Sequence, residues 1–214
     1  CLPFSRRTPD PLDFFQLKWK CVCSLNINSR FDQPPALSGN ILLSHPALKD
    51  PNFYKSIVFL SAHSSEHGTL GVILNRPLSK SLAQLDQSFS KASIGDAPVY
   101  EGGPVDQDKI ILAAWDWANF SHSLKLYFGI DAEKAQALKQ EKPDIEIACF
   151  LGHSGWSPGQ LENELDGESW LVSSLNHQLF QEIKKEQDTW KSVVSSLSDD
   201  LRLLADAPEN PYNN

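Results

Sequence analysis

From Pro34 onward, apolar residues fall into short runs separated by turn residues. Gly39 to Ser44 reads as a short strand, and Asp50-Pro51-Asn52 as a turn. Ser56 to Ala62 and Leu70 to Asn75 are two apolar runs joined by the polar stretch His63 to Thr69, the pattern of a β-hairpin with a longish loop. Val99 to Glu101 and Lys109 to Trp115 read as strands on either side of Gly102-Gly103-Pro104. Leu124 to Gly129 alternates Leu124, Leu126 and Phe128 with other residues, as a half-buried strand does. Ile145 to Leu151 is an apolar run, interrupted by Glu146, and reads as a buried strand.

Helical signals lie between and after these runs. Leu82 to Phe89 is a weak helix. Asp131 is placed to cap a helix that runs to Lys142 and stops at Pro143. Trp170 to Val172 reads as a short strand, and Leu175 to Ile183 and Thr189 to Leu204 as closing helices. Strands and helices neither alternate strictly nor segregate, so the class is α+β: one domain over 34–206, a mixed β-sheet packed with helices. Residues 1–33 form an N-terminal extension in which Phe14, Phe15, Leu17 and Trp19 are the residues able to dock. Residues 207–214 form a C-terminal tail that frays from Pro208. There is no internal repeat.

The segment from Gly152 to Glu162 is the densest in chemical signals. Gly152-His153-Ser154-Gly155-Trp156 reads as a tight glycine turn following the buried strand. Ser157 is then a good N-cap, Pro158 suits the first helical position, and Gln160 stands where a capping box wants Glu or Gln. A helix is expected from Ser157 through Leu161 and Leu165. A strand, a glycine turn and a helix N-terminus in series form a unit able to hold an anion.

Five segments in order carry a resemblance to a family. Gly39 to Leu43 with His45-Pro46-Ala47-Leu48, Asp50 to Val58, Gly71 to Pro77, Glu101 to Val105 and the Gly155 to Glu162 stretch match, in order and spacing, the YqgE/AlgH family, also catalogued as UPF0301 or DUF179. Together they span about Pro34 to Leu175. The resemblance implies the α+β fold but brings no established chemistry. The family bears a transcriptional-regulator label, so indirect regulation is one function it implies.

Gly-His-Ser-Gly-Trp invites comparison with the hydrolase nucleophile elbow, which needs small residues two positions to either side of the serine. Trp156 stands where the second small residue belongs, and His153 is too close in sequence to face Ser154 as a base. The structural reading is that Gly155 relieves a turn and Trp156 packs a helix onto the sheet. A hydrolase-type enzyme using Gly152 to Glu162 is the alternative. Glu162 and Glu164 are two apart and cannot share a helical face, so they make no paired-carboxylate site.

Gly102 and Gly103 either expose backbone N–H groups to an anion or let another segment approach closely. Pro104 removes one donor and favours the second reading. Arg76 either clamps a carboxylate or phosphate or pairs internally with Glu101 or Asp50. The candidate binding residues are therefore Arg76, Gly102, Gly103, Ser154, Gly155 and Gln160, and the ligand they suit is a small anion, or a protein partner presenting one. No catalytic residue is assigned. His63 and His67 have ligand-like spacing, but sit in the expected hairpin loop without a third ligand, so no metal or cofactor is expected. His45 serves a turn, and His122 and His177 read as surface residues.

Composition narrows the function further. The chain has 214 residues, 41% hydrophobic, enough for one domain with a full core. The net charge is −8, and the densest basic pairs, Arg6-Arg7 and Lys184-Lys185, are too small to offset it, so direct nucleic-acid binding is not expected. No apolar run reaches the ~20 residues of a membrane span. Cys1, Cys21, Cys23 and Cys149 lack the spacing of a metal knuckle, and Cys149 reads as a buried hydrophobe, a usage that fits the reducing cytoplasm. No signal peptide is legible, acidic residues such as Asp10 and Asp13 interrupt any transit pattern, and a chain that starts at Cys1 without methionine reads as trimmed or incompletely predicted at its N-terminus. The expected role is a non-enzymatic cytoplasmic binding or indirect regulatory protein.

Overall fold

The fold is organised by strands buried on both faces. The structure, a computed structural model, describes residues 23–25, 37–117, 124–185 and 188–207. The expectations for Phe14 to Trp19, Cys1, Cys21, Arg6-Arg7, His122 and the tail from Pro208 lie outside these residues. Among the described residues, ten strands form one sheet: β1 (Cys23–Leu25), β2 (Asn40–Ser44), β3 (Ile57–Ser64), β4 (Gly68–Ile73), β5 (Pro77–Ser81), β6 (Pro98–Glu101), β7 (Val105–Trp117), β8 (Leu124–Ile130), β9 (Glu146–Trp156) and β10 (Trp170–Ser174). Among the described residues, six α-helices accompany them: α1 (Leu82–Leu85), α2 (Ala132–Glu141), α3 (Gln160–Asp166), α4 (His177–Lys185), α5 (Thr189–Leu197) and α6 (Asp199–Asp206). The main path through the sheet runs β1-β8-β7-β9-β4-β3-β2-β10, with β6 on β9 and β5 on β6. The β6–β9 pair is parallel and the other pairs are antiparallel, which makes the sheet mixed.

Side chains alternate between a shared inner core and two outer ones. Ile41, Leu43, Ile57, Phe59, Ala113, Trp115, Ala148 and Phe150 point inward, where Phe180, Ile183, Trp190 and Val194 of α4 and α5 meet them. Leu42, Val58 and Leu60 point the other way, onto Trp156, Leu161 and Trp170. Leu112, Ala114, Ile147 and Cys149 point outward beneath Ala135 and Leu138 of α2. This two-sided burial explains the unbroken apolar runs at 57–60 and 147–151, because a strand covered on both faces has no polar side.

The caps and turns follow local chemistry. The Asp131 side chain accepts from the Lys134 amide at 2.7 Å and starts α2, as expected. Asn52 and Phe53 amides bond Asp50, closing the expected turn. The expected final helix is two helices. Ser198 is extended (φ −161°) and its hydroxyl accepts from the Leu201 amide, ending α5 and capping α6. The hairpin loop is tighter than expected: β3 and β4 pair as far as Ser64 and Gly68, which places His63 in a strand opposite Thr69.

One expectation fails instructively. Gly152 to Trp156 is no chain-reversing turn but the second half of β9. Up to Leu151 the strand lies between β6 and β7; from Ser154 to Trp156 it pairs with Gly71, Leu70 and Thr69 of β4. Gly152 has φ +69°, a left-handed conformation that lets the strand bend and change neighbours without reversing. The helix start is also displaced. Ser157 to Gln160 form a turn closed by the Gln160 amide on the Ser157 carbonyl (3.0 Å), with Pro158 second and Gly159 (φ +76°, ψ −8°) third, the type II pattern. Gly159 is therefore the N-cap and Gln160 the first residue of α3, although the Gln160 side chain does reach back to the Ser157 amide at 3.0 Å.

Candidate functional site

The bend of β9 brings the two glycine segments together. The Gly102 amide donates to the Leu151 carbonyl at 2.7 Å, and its carbonyl accepts from Ile73 at 2.9 Å. A Cβ built on Gly102 would lie 2.2 Å from the Gly152 carbonyl oxygen, and one on Gly103 would lie 2.3 Å from the His153 carbonyl. A Cβ on Gly152 would meet the Val105 and Gly103 carbonyl oxygens at 2.6 and 2.7 Å. Each glycine is thus filled by the other segment's backbone, the close approach that sequence reading held open against an anion nest.

Ser154 sits inside this junction, fully buried, and its hydroxyl donates to the Gly102 carbonyl at 3.2 Å. A hydroxyl committed to a carbonyl in the packed junction is a strut rather than a poised nucleophile. Gly155 is exposed beside the His153 ring.

Arg76 lies at the rim of the same junction. Its carbonyl accepts from the Glu101 amide (2.9 Å), its Nη1 donates to Glu101 Oε1 (3.0 Å) and its Nη2 donates to the Tyr54 carbonyl (3.2 Å). Of the two internal partners considered, Glu101 is the one it meets, and both side chains remain partly exposed. Asn75 completes the clasp. Its side chain accepts from Ile57 at 2.8 Å and donates to the Lys55 carbonyl at 2.9 Å, holding Lys55 at φ +51°. The Lys55 ammonium lies 5.0 Å from the Tyr54 ring centre and 6.0 Å from that of Trp190. Sequence reading passed over Tyr54 and Lys55, because nothing in an isolated Tyr-Lys pair signals a left-handed residue strapped by Asn75 and Arg76.

Gln160 belongs to a neighbouring cluster. Its amide donates to Glu164 Oε1 at 2.9 Å. The other oxygen of Glu164 accepts both the Trp156 and Trp170 indole N–H groups, at 2.8 and 2.7 Å. Phe53 stacks on Trp156 with ring centres 5.9 Å apart and meets Trp170 edge-on at 5.3 Å. The arrangement is a packed post under α3. Glu162 points elsewhere, 3.6 Å from His63 Nε2, so the two carboxylates stand apart as helical spacing requires. His63 Nδ1 also lies 2.8 Å from the Thr69 hydroxyl. Among the described residues, no three His, Cys, Asp or Glu side chains are grouped to hold a metal, and no helix is long and apolar enough to cross a membrane.

Cys149 is fully buried, and burial pushes its thiol pKa up to about 12, which makes it inert as a nucleophile at neutral pH.

Comparison with known proteins agrees with this architecture. A family model described as AlgH-like (DUF179) matches residues 41–202. A UPF0301 protein of Ruegeria pomeroyi is 32% identical over 178 residues, 79% of this chain and 96% of that protein. One from Parabacteroides distasonis is 32% identical over 193 residues, 83% of this chain and 91% of that one. The solution structure of the AlgH protein from Pseudomonas aeruginosa superposes with a TM-score of 0.59 at 24% identity, covering 85% of this chain and 100% of that one. A crystal structure from Corynebacterium diphtheriae gives 0.57 at 20% identity, covering 83% and 95%.

Proposed function

The chain belongs to the AlgH-like family (DUF179, UPF0301), and from that premise we propose that it is a non-enzymatic cytoplasmic binding or indirect regulatory protein. The observation that carries this reading is the Arg76 guanidinium. It is oriented by the Tyr54 carbonyl and Glu101 at the rim of the glycine junction, yet is still partly exposed. A fixed arginine fork favours a carboxylate or phosphate at low entropic cost. A ligand anion would take the place of the Glu101 carboxylate. Ser154, which a hydrolase would use, has its hydroxyl on Gly102, which favours binding over acyl transfer.

The test is a thermal-shift screen against small carboxylates and phosphates, followed by Arg76→Ala. Specific ligands raise the unfolding midpoint by mass action. The variant is expected to keep its fold and lose the shift. Retention of the shift, or an unfolded variant, removes the Arg76 site. Sub-micromolar binding to duplex DNA at ~150 mM salt by fluorescence anisotropy would instead establish direct nucleic-acid contact.

A further inference from the structure

Among the described residues, three strands end the sheet: β1, β5 and β10. An unpaired edge recruits other strands, and proteins blunt such edges with shortness, proline, charge or irregular backbone. β1 spans three residues. β5 begins at Pro77, carries Lys80, holds Ser79 at φ +53° and breaks register against β6. β10 has none of these devices. Its sequence, Trp170-Leu171-Val172-Ser173-Ser174, contains no charge, glycine or proline, and all five residues pair with β2 without a bulge.

Register fixes what this edge presents. The Ser44 amide donates to the Ser56 carbonyl ahead of β3 (3.1 Å), and the His45 amide donates to the Ser169 carbonyl ahead of β10 (3.0 Å). Backbone groups alternate sides along an antiparallel strand. Those of Leu171 and Ser173 therefore face β2, and those of Trp170, Val172 and Ser174 face the open side. Val172 is 42% exposed, although Leu42, its partner in β2, is fully buried. The edge offers a regular ladder of donors and acceptors with an apolar residue at its centre.

We propose that this edge pairs with the same edge of a second copy of the chain, antiparallel about a two-fold axis at Val172, so that one sheet runs through both subunits. Val172 then exchanges two hydrogen bonds with Val172 of the partner subunit, and Trp170 exchanges two with Ser174 of the partner subunit. The two valine side chains cover each other beside the axis. The ends of the strands match in charge as well. Antiparallel pairing brings the start of one strand to the end of the other, so the exposed Glu168 of each copy meets the first turn of α4 in its neighbour. That turn is the positive end of a nine-residue helix and carries no acidic residue. Symmetry repeats the match at both ends, which favours a second copy over an unrelated peptide. The interface shares no residue with the Arg76 rim, so each reading can fail without the other.

Sedimentation velocity of the full chain tests this. A monomer–dimer equilibrium is expected between about 1 and 200 µM, as suits a small interface. Val172→Lys sets two like charges at the axis and should weaken the dimer at least about 10-fold, with the unfolding midpoint of the dilute monomer unchanged. Glu168→Lys should weaken it about 3-fold, because a cation replaces the anion at the helix end. Mild oxidation reads the register. Val172→Cys should form a disulfide-linked dimer, because Cα atoms of a hydrogen-bonded pair stand about 5.5 Å apart. The two copies of Ser174→Cys lie four residues out of register and should cross-link no faster than the wild type with its own cysteines. If Val172→Lys does not fold, Val172→Cys against Ser174→Cys still decides. A chain that stays monomeric to about 200 µM overturns the proposal. So does a dimer that persists in Val172→Lys, or equal cross-linking of the two cysteine variants.

Discussion

The Trp156 indole donates its N–H to Glu164 across 2.8 Å, tying the end of β9 to the middle of α3. Trp170 donates to the same oxygen, so one carboxylate fixes two large rings that are each 4% exposed. Removing Trp156 takes away ring packing and a charge-assisted hydrogen bond together. Trp156→Ala is expected to cost roughly 3–5 kcal/mol in urea unfolding, whereas Trp156→Phe, which keeps a ring, should cost about 2 kcal/mol. A loss under about 1 kcal/mol for the alanine variant would show that the post does not support α3.

Ser154→Ala should behave as the loss of a buried hydrogen bond, about 1 kcal/mol by denaturant titration. A fluorophosphonate probe for activated serines should leave the native protein unlabelled. Labelling that disappears in Ser154→Ala would reinstate the hydrolase reading.

Two glycines with the same backbone sign should respond differently to a methyl group. Gly152 (φ +69°) has the Val105 carbonyl oxygen 2.6 Å from where its Cβ would be, and Gly159 (φ +76°) has nothing within 4 Å. Gly159→Ala bears only the left-handed penalty of about 1–2 kcal/mol. Gly152→Ala adds a backbone clash and is expected to cost about 3 kcal/mol or more, or to prevent folding. Equal thermal midpoints for the two variants would contradict the interlocked junction.

Alkaline pH should act through two buried groups. Burial raises the Cys149 thiol to about 12, and burial followed by the Glu146 charge raises the Tyr100 phenol above its ordinary value. A pKa raised in the folded state contributes stability that is whole below the unfolded pKa and is lost as pH rises towards the folded one. Stability should therefore fall from about pH 9 upward, and Cys149→Val should flatten part of that fall. Midpoints measured from pH 7 to 11 check this, and an unchanged slope in the variant would place the loss elsewhere.

Much of the architecture is legible in the chain because two-sided burial writes nearly continuous apolar runs. Ile145 to Leu151 and Ser56 to Ala62 predicted their strands for that reason, and Asp131 announced its helix through its own side chain. The Gly152 to Trp156 segment misled because a glycine-rich stretch looks the same whether the chain reverses or a strand changes neighbours. Only the partners, Phe150 against β6 and Ser154 against β4, distinguish the two. β5 was missed because Pro77 to Ser81 is largely exposed and carries no apolar alternation. At the candidate site, the pairing of Arg76 with Glu101 was foreseeable by charge. The aromatic cluster beside it was not, because Trp115, Tyr100 and Phe180 come from three separate elements and meet only through the registers of β7 and β6 on β9 and the seat of α4.

The position of β9 in the chain has a consequence for synthesis. A nascent chain emerges from its N-terminus, and β4, β6 and β7 are all complete long before residue 156 leaves the ribosome. Until β9 arrives, each of them presents the edge that β9 later pairs. Folding must therefore wait for a late strand to stitch two waiting halves. Slowing translation just after β7 would lengthen the time those edges stand open to other chains, a vulnerability that chaperones would have to cover.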